Sequence, residues 1–366
     1  MTEATALPET PPATAAIALQ GVTAEELRAA VPGIAIEDAR RIIAQVHRHE
    51  DPNRPSSSIR RSAREAVAAR GHVPELALVA ERRSLIDPFV KYALRTADGH
   101  VVETVRIPLE VPGRFVVCVS SQVGCALGCT FCATGRMGLT RNLETWEIVE
   151  QVRVVKRGLE SGRVHGVVFQ GMGEPMANLD RVLAAIRVMS EPSALAIDAR
   201  NITVCTSGLP TGIRRLAEEA PKVRLGLSIA SGRREVRRSL MPIDRAHALS
   251  EVINAAAEHV AATGLAPMWA VTLLAGVNDT VDDANALADL VLAFRERTGT
   301  NPRLTVIPYN AIDDGPDGQA DPFMRASDER EEAFREALRE REVFTHKRYS
   351  GGGDVAAACG QLAARA

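Results

Sequence analysis

The sequence predicts an α/β fold, a parallel sheet curved into a partial (βα)6 barrel between a small helical accessory region and a glycine-rich C-terminal loop. Two observations carry this. From Arg114 onward, the apolar runs "RFVVCVS", "VHGVVFQ", "NITVCT", "VRLGLSI", "PMWAVTLL" and "RLTVIPY" alternate with amphipathic stretches such as "LETWEIVEQVRVVKRGLE", "LDRVLAAIRVMS" and "TVDDANALADLVLAFRERTG". Such alternation requires parallel strands joined by right-handed crossovers. The six units fall short of the eight of a closed barrel. Second, the unusual residues follow the strands: a cysteine cluster after the first, "GMGEP" after the second, "TSG" after the third, "SIAS" at the fourth, "LAGVND" after the fifth and "PYNAI" at the sixth. That is the rim where barrel enzymes place their chemistry.

In chain order, residues 1–20, rich in Ala, Thr and Pro, show no helical or strand period and are predicted to be an unstructured tail. Residues 21–90 form the accessory region. "TAEELRAAVPG" starts a helix with a capping threonine and an acidic first turn, and "AIEDARRIIAQVHRHE" lines up Ala39, Ile42, Ile43 and Val46 on one face. A further basic helix carries Arg54, Arg60, Arg61 and Arg64 in or just before it; these are candidate phosphate contacts or simply a solvated face. "LALVAERRSLIDPFVKYALRTADGHVVETVRIP" reads as strands turning at Asp87-Pro88 and Asp98-Gly99. The barrel is assigned to 91–345 and the C-terminal segment to 346–366.

Composition narrows the class. The N-terminus has no basic start or long apolar run, and other apolar segments are short and interrupted, so a cytoplasmic protein without membrane spans is expected. In that compartment six cysteines suggest metal or redox chemistry ahead of a disulfide framework. The net charge of −2 announces no polyanionic partner, although only four of 44 basic residues are lysine. Arginine suits phosphate recognition, and a GC-rich genome would give the same bias.

"GCALGCTFCATG" places Cys125, Cys129 and Cys132 within eight residues. A structural zinc would need a fourth ligand, which Cys118 in the preceding strand could supply. In a 4Fe-4S cluster, three cysteines leave one iron open. The spacing C-x3-C-x2-C with Phe131 before the third cysteine favours the cluster and resembles the radical S-adenosylmethionine (SAM) superfamily. That resemblance implies a radical SAM barrel whose open iron binds SAM. Gly173 and Glu174 of "GMGEP", Ser207, Ser228, Ile229 and Ala230 of "SIAS", and Asn310 are then the expected cofactor contacts.

"VCVSSQVGCALGCTFCATG", "FQGMGEPMANLD", "TSG", "LMPID", "GVNDT", "IPYN" and "AACGQLA" together resemble the RlmN/Cfr family of radical SAM methyltransferases acting on adenosine in RNA, over roughly 91–363. The family usually has "SLHA" where this chain has "SIAS", so Ala230 stands in place of a histidine. The resemblance implies that the C-terminal loop carries a reactive cysteine, Cys359, as methyl acceptor, with Cys118 as the thiol that releases product through a transient disulfide and Glu103 as the base. It further implies methylation of an adenine ring carbon, carbon 2 ahead of carbon 8, in ribosomal or transfer RNA by a monomer served by a flavodoxin or ferredoxin. Two rival readings are a radical SAM methylase of another substrate and a zinc-containing RNA-binding module.

Overall fold

The computed structural model describes residues 16–312, 320–347 and 350–363. Its frame is a ten-stranded sheet whose strands lie side by side in chain order. They are β1 (Ala77–Arg83), β2 (Val90–Arg95), β3 (Val101–Pro108), β4 (Arg114–Cys118), β5 (Arg163–Phe169), β6 (Ile202–Thr206), β7 (Arg224–Ser228), β8 (Met268–Leu273), β9 (Arg303–Pro308) and β10 (Thr345–Lys347). The first four pair antiparallel and β4 to β10 pair parallel. The six predicted parallel strands are all present, and β10 adds a short seventh. β1 belongs to this sheet, so the division at 90/91 cuts through a hairpin of the barrel.

The helices form where local chemistry favours them. Thr145–Arg157 opens with reciprocal capping between Glu144 and Glu147, and Val281–Thr298 with the same device between Thr280 and Asp283. The latter ends on Gly299 in the left-handed conformation. Their apolar faces, with those of Leu179–Ser190 and Leu249–Thr263, pack with the sheet into one core, in which Trp269, Phe294 and Phe169 are fully enclosed. Among the described residues no helix is long and apolar enough to cross a membrane.

The accessory region is a separate small core around Leu27, Ile42, Ile43 and Val46. Thr23 and Glu26 cap its first helix, Ala24–Ala30, as the sequence predicts. Most of the predicted tail lies outside the described residues, but Ile17–Ala18 pairs with Gly71–His72 and Leu19 and Gln20 are buried. Leu19 fills the helical core there and Gln20 donates to the Pro74 carbonyl, so the structured chain begins before residue 20. Of the arginines singled out, Arg60 is paired with Asp38 at 2.6 Å and Arg61 with Glu65 at 2.7 Å, while Arg64 reaches the Ser56 carbonyl.

Buried charge joins this region to the barrel. Arg153, on the helix Thr145–Arg157, pairs with Glu150 and donates to the Val46 carbonyl at 2.7 Å and to His49 Nδ1 at 3.3 Å; Lys156 donates to the His47 carbonyl. Burial first, then the charges of Arg153 and Lys156, push His47 down to about 3; burial, then Arg153, Arg157 and Lys156, push His49 down to about 4. Both rings are therefore neutral when folded, whereas the unfolded chain takes up protons below about 6.5. The contribution of His47 is complete above that pH and is lost as pH falls toward about 3. By pH 5 the loss should reach on the order of 2 kcal/mol. Urea unfolding at pH 7 and pH 5 checks this: the fall should shrink by about that amount in His47→Gln, and an equal fall in both proteins would refute it.

Candidate functional site

The cysteine loop is held at its neck and at its far end. Gln122–Gly124 and Leu139–Asn142 pair as a short hairpin around it. Gly124 sits at φ +77°, and a Cβ there would come within 1.9 Å of the Gly138 carbonyl oxygen, so only glycine closes this neck. At the far end Thr130 N–H donates to the Leu240 carbonyl at 3.0 Å, and Arg136 bonds the Thr130 carbonyl and Asp321.

The "GMGEP" turn is locked against the preceding "VSSQ". Met172 N–H donates to Ser120 Oγ at 2.9 Å, Glu174 N–H to Gln122 Oε1 at 2.8 Å, and Ser121 N–H to the Met172 carbonyl at 2.8 Å. Gly173, at φ +97°, faces Gln122 so closely that a Cβ would lie 2.5 Å from the Gln122 Cβ. Its smallness therefore serves loop-on-loop packing as well as the approach of a ligand.

Cys125, Cys129, Cys132, Gly173, Glu174, Ser207, Ser228 and Ala230 together line one cleft, about 970 Å³ including its open mouth, with Thr206 and Tyr309. Seven of the parallel-strand ends or their loops contribute to it only because those strands run the same way. Burial pushes the thiols up, Cys125 to about 11 and Cys129 to about 12, with the neighbouring thiols and Glu174 adding to the shift; Cys132 moves the same way. Glu174 is itself raised by burial, against the opposing hydrogen bonds from Ser207 N–H, Thr206 and Met176 N–H. Among the described residues no cation is paired with it. A buried carboxylate in a cleft lacking a cation suits the ammonium of SAM.

The donor set fits a cluster. Three thiols, Cys125, Cys129 and Cys132, line the cleft together with the buried Glu174. A four-iron cluster takes each cysteine on a different iron and leaves the fourth iron open.

Sequence reasoning missed the group beneath this rim. Arg237, with no exposed surface, donates to the carbonyls of Ser207 at 2.8 Å, Ser228 at 2.8 Å and Ile229 at 2.7 Å, and its charge is met by Asp244 at 3.2 Å. One guanidinium thus ties the loops after β6 and β7. Ile229 enters only through its backbone and does not line the cleft. Ala230 adopts φ +60° in a three-residue turn closed by Ser231 N–H on the Ile229 carbonyl at 2.7 Å, and Asn278 Nδ2 holds the Ala230 carbonyl at 2.7 Å. Such a conformation in a non-glycine residue is strained and persists because its surroundings hold it.

Residues 350–363 lie across the cleft, held largely by their backbone. Ala133 N–H donates to the Gly360 carbonyl at 2.8 Å, Thr134 Oγ1 to Leu362 at 2.6 Å, Lys91 Nζ to Ala356 at 3.2 Å, and Gly352 N–H to Asp87 Oδ2 at 2.8 Å. Cys359 lines the cleft of the three cysteines and also a second cavity, whose wall includes Cys118 and Phe89. Cys118 ends β4 between Val105 and Val168, 8% exposed, and neither cysteine is in a disulfide here.

Two expected residues sit elsewhere. Asn310 does not line the cofactor cleft; its Nδ2 donates to Ser350 Oγ at 2.8 Å and to the Cys359 carbonyl at 3.2 Å, so it positions the loop that carries the thiol. Glu103 is fully buried beside a third, smaller cavity, its Oε1 3.0 Å from Lys91 Nζ and its Oε2 accepting from Ala363 N–H at 2.8 Å. Cys205 is half-buried and lines the cleft.

Comparisons with known proteins agree with this geometry. The profile of the radical SAM superfamily matches residues 119–291. A protein of Sorangium cellulosum described as a probable RNA methyltransferase is 59% identical over 357 residues, 93% of this chain and 90% of that one. The dual-specificity RNA methyltransferase RlmN of Syntrophobacter fumaroxidans is 41% identical over 287 residues, 78% of this chain and 80% of its own. The crystal structure of a radical SAM methyltransferase from Sphaerobacter thermophilus superposes with a TM-score of 0.83 at 36% identity, covering 95% of this chain and all of that one.

Proposed function

This chain belongs to the RlmN family of radical SAM RNA methyltransferases, and from that premise we propose that it methylates a ring carbon of adenine, carbon 2 ahead of carbon 8, in ribosomal or transfer RNA through a methylated Cys359. The observation that carries this is the position of Cys359, shared between the cleft of Cys125, Cys129, Cys132 and Glu174 and the cavity of Cys118.

When bound in the cleft, a cluster on Cys125, Cys129 and Cys132 with SAM at Glu174, Ser207, Ser228 and Ala230 would supply the electron, the radical and the methyl group. The residues of the chain do the rest. Asn310 holds the Cys359 carbonyl so that its thiolate meets the methyl to be displaced. After the methyl carbon has given a hydrogen atom to that radical and joined the ring, Cys359 is tied to RNA, and the odd electron left on the adduct would pass to the oxidised cluster. Glu103 takes the ring proton; it is held by Lys91 and by Ala363 N–H, which couples that step to the position of the C-terminal segment. The Cys118 thiolate then attacks the Cys359 sulfur, forming a disulfide, and the released carbon takes up a proton to become the methyl group of the base. An external thiol must reduce that disulfide before the next cycle, and a flavodoxin or ferredoxin is the electron donor we propose.

Mass spectrometry of RNA from cells with and without this protein, together with peptide mapping for methyl-Cys359, tests the reading. Methylated adenosine with no mark on Cys359, or the mark on Cys118, would overturn it. Each of Cys125→Ala, Cys129→Ala and Cys132→Ala is expected to lose iron and sulfide and all reductive SAM cleavage; full iron content in any one would show that the ligand set is wrong. Glu103→Gln should keep Cys359 methylation but lower RNA turnover by roughly 10²–10⁴-fold, read as steady-state rates at saturating RNA.

A further inference from the structure

The turn between β1 and β2 carries two large apolar side chains at its tip that none of the described residues covers: Leu85 is 94% exposed and Ile86 70%. The turn is nevertheless well braced. Ser84 N–H donates to the Phe89 carbonyl at 3.0 Å, Ile86 and Asp87 N–H groups donate to Ser84 Oγ, and Phe89 N–H donates to Asp87 Oδ1. Two further bonds tie it to the segment that carries Cys359: Leu85 N–H to Asp354 Oδ2 and Gly352 N–H to Asp87 Oδ2, both 2.8 Å. Phe89, at the base of the turn, forms part of the wall of the cavity shared by Cys118 and Cys359.

A rigid apolar tip at the rim of a cavity with buried thiols answers a specific need. Adenine carbons within a stacked RNA strand cannot reach a thiol as enclosed as Cys118, so the target base must swing out and leave a gap in the stack. Apolar side chains inserted between bases fill such gaps and hold the strand open. We propose that Leu85 and Ile86 are the wedge that contacts the RNA bases flanking the target adenosine. This rests on the functional reading above and extends it to how the substrate is opened. The alternative occupant, a docked electron-donor protein, is an outcome of the same test.

The experiment uses the full-length, reconstituted enzyme with dithionite as reductant, so that no donor protein is needed. Leu85→Ser/Ile86→Ser changes only exposed side chains. It is expected to methylate Cys359 from labelled SAM, in the absence of RNA, within twofold of the parent. Its kcat/KM toward total RNA from cells lacking this protein should fall at least tenfold, and Leu85→Met/Ile86→Val should recover most of that. Separately, a photo-crosslinking residue at position 85 should label RNA within two nucleotides of the methylated adenosine. Unchanged kcat/KM for RNA, or crosslinks elsewhere on the RNA, would overturn the wedge while leaving the methyltransferase reading intact. A defect seen with flavodoxin but absent with dithionite would assign the tip to the donor and overturn it as well. Failure of the unmodified enzyme to methylate RNA at all would instead defeat the functional reading, and the wedge with it.

Discussion

Enzyme carrying Cys118→Ala is expected to trap its own RNA. Cys359 remains in place, so it can accept the methyl, lose a hydrogen from it and join adenine, but no thiol at the end of β4 is left to displace the product. Denaturing gels should show a ribonuclease-sensitive adduct that maps to Cys359, with turnover limited to about one event per chain. Cys118→Ala/Cys359→Ala should show none. A merely structural Cys118, buried as it is, predicts only a packing loss of roughly 1–3 kcal/mol and ordinary multiple turnover. Adduct-free protein with full turnover would therefore remove the releasing role.

Arg237→Met should be the most destabilising single change at the site. It takes from the completely buried Asp244 its buried cation, leaving it the half-exposed Arg238 at 3.6 Å and Leu249 N–H, and removes the guanidinium from the Ser207, Ser228 and Ile229 carbonyls, of which Ile229 keeps Ser231 N–H. Breaking a buried pair by removing one partner costs about 3–5 kcal/mol. The chain's burial of Arg237 already pulls its pKa down, with Asp244 opposing, so the pair is held together mainly by mutual compensation. Denaturant unfolding should show the full loss in Arg237→Met and a much smaller one in Arg237→Met/Asp244→Leu, since the double change leaves no bare charge. In the double variant the rim loops still lack their tie, so SAM affinity measured by calorimetry should stay weak. Tight SAM binding there would show that Arg237 does not shape the cleft.

The division between what could and could not be read from the residues has a physical basis. Short apolar runs bounded by turn residues mark strands, so β4 to β9 were evident, while β10, three residues long, carries no such signal. The three clustered cysteines and Glu174 were evident because their spacing is local. Arg237 was not, since "RREVRRSL" offers several arginines, two of which pair with the Asp244 of "LMPID" and only one of those is buried. The partners of Asn310 were hidden for a related reason: it follows a strand at the rim, where a cofactor contact would lie, but it bonds Ser350 and Cys359, far along the chain. The histidines of the accessory region gave no hint, because what silences them is first their burial and then the charges of a barrel helix distant in sequence.

The manner in which residues 350–363 are moored has an implication for how the segment can evolve. Lys91, Thr134 and Asn310 grip carbonyls, Ala133 N–H does the same, and Asp87 and Glu103 receive amides. Main-chain groups are common to nearly all residue types, so these grips do not themselves dictate side chains; in this stretch the side chain matters where it is used or enclosed, as at Asp354, which holds Leu85 N–H, and at the buried Ala357 and Ala358. Length is another matter. Adding or deleting one residue between Ser350 and Cys359 would shift every grip on one side by a place and swing the thiol off its mark. Across descendants of this chain, selection should tolerate spelling changes in the segment and purge insertions and deletions.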